Sequence, residues 1–120
     1  MLRKVSLVFV SALLCANNVF ANGALAIDGN QGNQYGFSYN QPSMGAAQQV
    51  ALSQCGSGCS VVEVFSNGCA AYAADQSQGS TVYGWGTGLN GGQAQNAALQ
   101  YCSGNGGSQC VVRVWGCNAQ

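Results

Sequence analysis

The pattern of apolar and polar positions along this chain occurs twice. Each occurrence contains two short alternating segments, an alanine-rich segment with helical spacing, and a valine-rich segment between two cysteines. The corresponding segments are 24–28 and 71–75, 35–37 and 83–85, 47–55 and 94–102, and 59–69 and 110–117. Because all four pairs follow one another in the same order, we infer that a unit of roughly forty-five residues has been duplicated.

Each unit begins with a predicted hairpin of two strands. The first strand covers 24–28 in one copy and 71–75 in the other, and the second strand covers 34–39 and 81–87. The residues between the two strands are rich in Gly, Asn, Gln and Ser, which favour turns. The alternation within the strands predicts that each has two distinct faces.

A helix and a third strand complete each unit. The helices are predicted over 44–55 and 91–102, directly after Ser43 and Asn90, whose side-chain oxygens make them good N-caps. Small residues occupy one face of each helix and allow close contact with a sheet. They are Ala47, Val50, Ala51 and Cys55 in the first copy and Ala94, Ala97, Ala98 and Cys102 in the second. The valine-rich segment is the third strand, so each unit is ββαβ.

A unit of this size cannot bury a sufficient core alone. We therefore expect the two repeats, about 23–68 and 69–118, to be related by a pseudo-twofold axis. They would form one sheet with both helices on one face, which is an α+β fold. The third strands carry Glu63 in one copy and Arg113 in the other. If these strands are neighbours, the two side chains face each other, and opposite charges favour that pairing.

The cysteines predict a fold stabilised by disulfides. Six of the seven cysteines follow the N-terminal segment, and an even number in a small exported domain is typical of disulfide bonding. The chain has no His and no CxxC spacing, which disfavours zinc, and we expect no metal site. Although six cysteines allow fifteen pairings, their positions favour Cys55–Cys59 and Cys102–Cys110 as local pairs. Cys69–Cys117 would then join the two copies.

Residues 1–21 are predicted to be a signal peptide that is cleaved from a single mature domain, 22–120. A basic start precedes an apolar run over 5–16, and Val19–Ala21 places small residues at a cleavage site. About a dozen apolar residues are too few for the alternative, an uncleaved membrane anchor. A second cleavage site over 24–26 is disfavoured because the other copy repeats this segment. The predicted location is periplasmic or secreted.

The few charged residues exclude several classes of function. After the signal peptide, Arg113 is the only basic residue, against Asp28, Glu63 and Asp75. This number is too small for a nucleic-acid surface or a polybasic membrane patch. Catalytic Ser-His-Asp and Cys-His systems are excluded because there is no His. We therefore expect no enzyme activity and no cofactor.

Asp28 and Asp75 occupy equivalent positions at the ends of predicted strands. The favoured interpretation is that each carboxylate stabilises the turn that follows it. The alternative is an acid/base pair of the kind that hydrolyses glycosidic bonds. That chemistry would need two of the three carboxylates to converge.

Alternating aromatic residues on the second strands also have two interpretations. Tyr35, Phe37 and Tyr39 share one face, and Tyr83 and Trp85 repeat the pattern. The favoured interpretation is that the rings fill the core under the alanine-rich helices. The alternative is an exposed binding surface that also includes residues of the third strands. Its residues would be Glu63, Phe65, Arg113, Trp115, Tyr35, Phe37, Tyr83 and Trp85.

The repeated order of these motifs resembles a bacterial family of exported proteins. In both copies a Tyr-Gly pair precedes an alanine-rich helix that ends in Cys, and a further Cys and a V-V-x-V-aromatic run follow. This order is similar to that of domain of unknown function (DUF) family 4189, over nearly all of the mature chain. The resemblance implies an exported, disulfide-bonded α+β domain and supplies no catalytic residues.

The function predicted from the sequence is that of a small exported binding module without catalysis. Its partner would be a protein or an envelope component, and one version is an immunity or inhibitor protein that blocks a toxin or a wall-lytic enzyme. One alternative is a secreted effector that acts on host or competitor cells. The other is a weak glycan hydrolase that uses two carboxylates.

Overall fold

The structure is a computed structural model and describes residues 21–29 and 34–119. Its elements are β1 (Asn22–Asp28), β2 (Tyr35–Gln41), α1 (Met44–Cys55), β3 (Cys59–Ser66), β4 (Cys69–Asp75), β5 (Tyr83–Gly88), α2 (Gly91–Gly104) and β6 (Cys110–Cys117). The order ββαβ therefore occurs twice, as the sequence predicts. The signal-peptide prediction falls on residues 1–20, which lie outside the described part of the chain, and on Ala21.

The six strands form two antiparallel sheets of three strands each. The orders are β2-β1-β3 and β5-β4-β6, so the first strand of each copy is central. The registers of the two sheets match from Ala24 and Ala71 onward: Leu25 pairs with Phe37 in one sheet, and Tyr72 pairs with Trp85 in the other. Before Ala24 the β1–β2 pair has a register shift that the β4–β5 pair lacks. The two copies are therefore built in the same way.

The two faces of each sheet pack against different layers. On β1, Leu25 and Ile27 contribute to a core that also contains Tyr72 of β4, so this core lies between the two sheets. On the opposite face of β1, Ala24 and Ala26 pack against the alanines of α1. The second sheet packs on α2 in the same manner. The fold thus has four layers, with a helix on each outer face of a two-sheet sandwich.

This arrangement confirms the α+β class, the repeated unit and the disulfide stabilisation, but it differs from the expected single sheet with both helices on one face. The reason is that both faces of each sheet are apolar. Leu25 and Tyr72 are fully buried, as are the alanines beside them. In a single sheet, the face carrying the large side chains would be exposed to water. Stacking the two sheets buries that face at a gain of about 25 cal/mol per Å² of apolar surface.

The helices begin as predicted and lie unusually close to their sheets. The Ser43 hydroxyl accepts a hydrogen bond from the Ala46 N–H (3.0 Å), and Asn90 caps α2 in the same way. Glycines on the edge strands permit the close approach: a Cβ at Gly36 would overlap the carbonyl oxygen of Ala51. The glycines of β5 face α2 in the same manner.

A bulge in each third strand changes the alignment of the two valine-rich segments. The register shifts between Leu25 and Ala26 in one sheet and between Tyr72 and Ala73 in the other. The extra residues are Val62 on β3 and Arg113 on β6, so these two positions are equivalent.

Glu63 and Arg113 therefore do not face each other as expected. Because β3 and β6 belong to different sheets, the two charges are not cross-strand neighbours. The equivalent of Glu63 is Val114, which pairs with Tyr72 as Glu63 pairs with Leu25. The expectation aligned the two segments by their similar Val-Val-charged-Val sequences. In the structure, Cys59 and Cys110 are the equivalent positions, since they pair with Asp28 and Asp75.

The disulfides are Cys55–Cys59, Cys69–Cys117 and Cys102–Cys110, the same three pairs as the sequence predicts. Cys69–Cys117, however, does not join the copies. The two residues are opposite each other on β4 and β6, so the bond lies within the second sheet. The equivalent pair in the first sheet is Asn22 and Ser66, which are also register partners. There the Ser66 hydroxyl donates a hydrogen bond to Asn22 Oδ1 (3.4 Å).

We expect Gly36→Ala to lower the free energy of unfolding by about 1–3 kcal/mol, since the new Cβ forces β2 and α1 apart. Gly45→Ala is the matched control. Gly45 lies in the first turn of α1, where the nearest heavy atom to a new Cβ is 3.9 Å away, so the same change should stabilise by up to about 1 kcal/mol. Urea unfolding measures both. Equal stabilities for the two variants would contradict the close packing of β2 on α1.

We also expect the double substitution Asn22→Cys with Ser66→Cys to form a fourth disulfide. It would close a loop between residues 44 apart and stabilise the domain by up to about 4 kcal/mol, because the unfolded chain loses entropy. Free-thiol titration and thermal unfolding, with each single variant as a control, measure the effect. Two free thiols in the oxidised double variant would contradict the equivalence of the two sheets.

Candidate functional site

The two long edges of the sandwich differ. At one of them β2 of the first copy lies beside β6 of the second, and we call this the closed edge. The Tyr35 hydroxyl donates to the carbonyl oxygen of Arg113 (3.3 Å), and the Arg113 guanidinium lies 5.4 Å from the centroid of the Tyr35 ring. The Asn40 N–H also donates to Asn118 Oδ1 (2.7 Å). These contacts connect the two sheets directly.

The opposite edge, which we call the open edge, contains a cleft between β3 and β5. The cavity has a volume of about 330 Å³, at the lower end of the range for ligand sites. We call this cavity the β3–β5 cleft. Residues of β3 in the first copy, and of β5 and the end of α2 in the second copy, line it. The lining residues are Glu63, Tyr83, Gly84, Trp85, Gly86, Thr87, Tyr101 and Asn105.

The alternation of β5 positions the aromatic side of the cleft. Gly84 and Gly86 face α2, where no side chain would fit, so Tyr83 and Trp85 point toward the other sheet. Their rings stack with centroids 5.9 Å apart. The side chain of Asn105, just after α2, donates to the carbonyl oxygen of Tyr83 (3.0 Å) and holds this end of β5.

Glu63 supplies the charge in the cleft. The indole N–H of Trp85 donates a hydrogen bond to its carboxylate. Burial raises the pKa of Glu63, and the Trp85 hydrogen bond opposes this effect only in part. The carboxylate is therefore partly removed from water and has capacity for a further donor.

A second cavity, of about 410 Å³, continues the cleft along the same edge. It shares Glu63 and Thr87 with the first cavity, and its lining also includes Val64 and Leu89. Leu89 is 84% exposed and Val64 is 40% exposed. The open edge thus places an apolar patch next to a carboxylate.

The eight residues of the surface predicted from the sequence do not form one surface. Phe37 and Phe65 are buried between the sheets, with their rings stacked at 5.8 Å. Tyr35, Tyr83 and Trp85 are half-buried around the same core. Glu63, Tyr83 and Trp85 are brought together in the cleft, whereas Arg113 lies at the closed edge.

Trp115 lies away from these residues, on the outer side of the second sheet. It is about half exposed, and a Cβ at Gly91 would overlap its ring, so it covers the start of α2. The bulge moves it there, because the extra residue reverses the alternation of the strand.

Sequence analysis missed Thr87, Tyr101 and Asn105 as cleft residues. Tyr101 is 62% exposed near the end of α2, on a helix whose buried face consists of alanine and cysteine. A large aromatic residue outside that face was the available signal. No feature of the sequence marks Thr87 and Asn105 as cleft residues, because their place in the cleft depends on how the two sheets stack.

Asp75 stabilises the loop after β4. Its carboxylate accepts hydrogen bonds from the Gln109 N–H (2.8 Å) and from the Ser77 hydroxyl (2.9 Å). A hydrogen bond from Ser80, and then the bonds from Gln109 and Ser77, lower the pKa of Asp75 to about 2. Asp28 makes a comparable local contact, accepting from the Gln34 N–H (3.4 Å). Contacts of this kind are expected if each carboxylate stabilises the turn that follows its strand, which is the interpretation that the sequence favours.

Within 21–29 and 34–119, no helix is long and apolar enough to cross a membrane. In the same ranges, no three side chains of the types that ligate metals come together as a metal site.

Comparison with known proteins identifies one family. The family model described as "Domain of unknown function (DUF4189)" matches residues 22–117. No curated protein and no solved structure matches the chain.

We expect Asp75→Asn to lower the melting temperature at pH 7, because the amide cannot replace the ionised carboxylate toward the donors of Ser77, Ser80 and Gln109. The folded-state pKa is below the unfolded value of about 3.9, so ionised Asp75 stabilises the fold above that pH and loses its effect as the pH falls toward 2. The difference between wild type and variant should therefore shrink between about pH 4 and pH 2. Thermal unfolding across this range measures it, and a difference independent of pH would contradict the role assigned to the carboxylate.

Proposed function

The chain belongs to the DUF4189 family, and we propose that it is a small exported binding module without catalysis. The module engages a protein or cell-envelope partner through the β3–β5 cleft. The observation that carries this proposal is the difference between the two edges of a duplicated body. One edge is connected by the chain's own hydrogen bonds, whereas the other leaves aromatic side chains and a carboxylate accessible. Exposed aromatic residues around a partly desolvated charge are typical of binding sites.

The absence of catalysis is proposed from the roles of the carboxylates. Glycoside hydrolysis needs two carboxyl groups that flank one bond. Glu63 is the only carboxylate in the lining of the β3–β5 cleft. Asp75 accepts hydrogen bonds from its own loop, and its low pKa does not suit a general acid at neutral pH.

The proposed location is the periplasm or the exterior of the cell. Three disulfides are typical of proteins that fold in an oxidising compartment, and the predicted signal peptide agrees with export. A disulfide-bonded domain with an accessible cleft suits an immunity or inhibitor protein, since a preorganised protein binds without a large loss of conformational entropy.

The test is capture of a partner by the immobilised mature chain from a periplasmic extract and from culture medium. We expect Tyr101→Ala to lower partner retention at least tenfold, since the ring is exposed beside the cleft. Tyr39→Ala is the matched control, because Tyr39 is also a partly exposed tyrosine but lies on β2, at the closed edge.

Equal retention by the two variants would place the binding site elsewhere, and no retained partner would contradict the proposal. Circular dichroism checks that both variants are folded. Digestion of cell-wall glycan by the wild-type protein, lost on Asp75→Asn without unfolding, would replace the proposal with the hydrolase.

A further inference from the structure

At the closed edge, the side chain of Arg113 lies over the ring of Tyr35, a residue of the edge strand β2. The guanidinium of Arg113 lies 5.4 Å from the centroid of the Tyr35 ring, a distance at which a cation and an aromatic face attract each other. Tyr35 pairs with Ile27 on β1, and Tyr83 pairs with Ala74 at the equivalent position of β4. Tyr83 at the open edge is therefore the counterpart of Tyr35.

The open edge has the tyrosine without the cation. Arg113 is the extra residue of the β6 bulge, and the equivalent residue of the β3 bulge is Val62. Val62 packs against the core between the sheets and is too short to extend over an edge-strand ring. The space that Arg113 fills at one edge therefore has no equivalent side chain at the other.

The chemistry of the β3–β5 cleft suits a cation from outside the domain. Three aromatic side chains line it, and Glu63 is its only charged residue. A carboxylate next to aromatic faces is the set of groups that binds guanidinium or ammonium, by ion pairing and by the attraction between cation and ring.

No basic side chain of the described residues neutralises Glu63. Arg113 is the only Arg or Lys within 21–29 and 34–119, and it lies at the closed edge. A neutral ligand would remove more water from the carboxylate and would replace only part of the lost solvation through hydrogen bonds. A cation replaces that solvation directly, so the desolvation of Glu63 favours a positively charged ligand.

We propose that the β3–β5 cleft binds an arginine or lysine side chain of a partner protein, between the Glu63 carboxylate and the aromatic rings. This inference rests on the proposed function and names the chemistry of the partner. A cavity of about 330 Å³ accommodates one long side chain. The adjoining cavity, with Leu89 and Val64 in its lining, would contact an apolar residue next to the basic one.

The experiment is an NMR titration of the mature protein with two peptides. One is Ac-Gly-Arg-Leu-Gly-NH₂, and the other has citrulline, the neutral analogue of arginine, in place of Arg. We expect the arginine peptide to shift the indole N–H resonance of Trp85 saturably, and the citrulline peptide to bind about tenfold more weakly. The indole resonance of Trp115, on the outer face, is the internal control.

Two variants identify the groups responsible. Glu63→Gln keeps an acceptor for the Trp85 indole but removes the charge, so the arginine peptide should bind no better than the citrulline peptide. Val62→Arg introduces the chain's own guanidinium at the position equivalent to Arg113 and should prevent peptide binding. If Val62→Arg does not fold, Glu63→Gln still decides the result.

Equal affinity for the two peptides, or no saturable shift of the Trp85 resonance at millimolar concentration, would overturn the inference. Titration with N-acetylarginine amide tests the adjoining cavity: affinity equal to that of the tetrapeptide would contradict the proposed contact with an apolar residue next to the basic one. Partner capture that depends on Tyr101 but is unchanged by Glu63→Gln would leave the proposed function standing and refute the cation.

Discussion

The packing of two sheets on one shared layer of large side chains is the constraint on which the rest of the structure depends. Tyr72 is fully buried at the centre of this layer. The centroid of its ring lies 5.5 Å from that of Tyr35 in the first copy and 6.2 Å from that of Tyr83 in the second. Because the large residues meet between the sheets, the helices can pack only on the outer faces. Small residues make this possible there, since a side chain at Gly36 or Gly84 would overlap helix backbone.

The domain contains two copies of the ββαβ unit. The two copies differ because equivalent positions carry different residues. The second sheet is closed by the Cys69–Cys117 disulfide, where the first has a hydrogen bond between Ser66 and Asn22. The large ring of Trp115 is matched by a glycine at position 91, whereas the equivalent positions of the first copy carry Val64 and Met44. Such exchanges keep the total volume similar, which is the change that packed cores tolerate best.

The sequence predicts what depends on local spacing. Periodicity and capping residues predict the elements, and the cysteine positions predict the two local disulfides, because each of these properties involves residues close in sequence. Cys69–Cys117, whose partners are 48 residues apart, was predicted as the pair that remained. The stacking of the sheets was not predicted, since alternation shows that a strand has two apolar faces but not which partner covers each face. The bulges at Val62 and Arg113 were also not predicted, and they separate the charge of Glu63 from that of Arg113.

The two edges of the sandwich also differ at their bulges, although the hydrogen bonds of the closed edge do not depend on the side chain at the bulge position. At position 113 an arginine extends over Tyr35, whereas at position 62 a valine places no cation over the equivalent ring of Tyr83, which stacks on Trp85. An open edge has fewer contacts and leaves Trp85 partly exposed, which costs stability. The cost is small here, because the central core and the closed edge already hold the two sheets together. A duplicated domain can therefore keep its sheets in contact at one edge while the equivalent edge differs, and in this chain the difference includes Arg113 at one bulge and Val62 at the other.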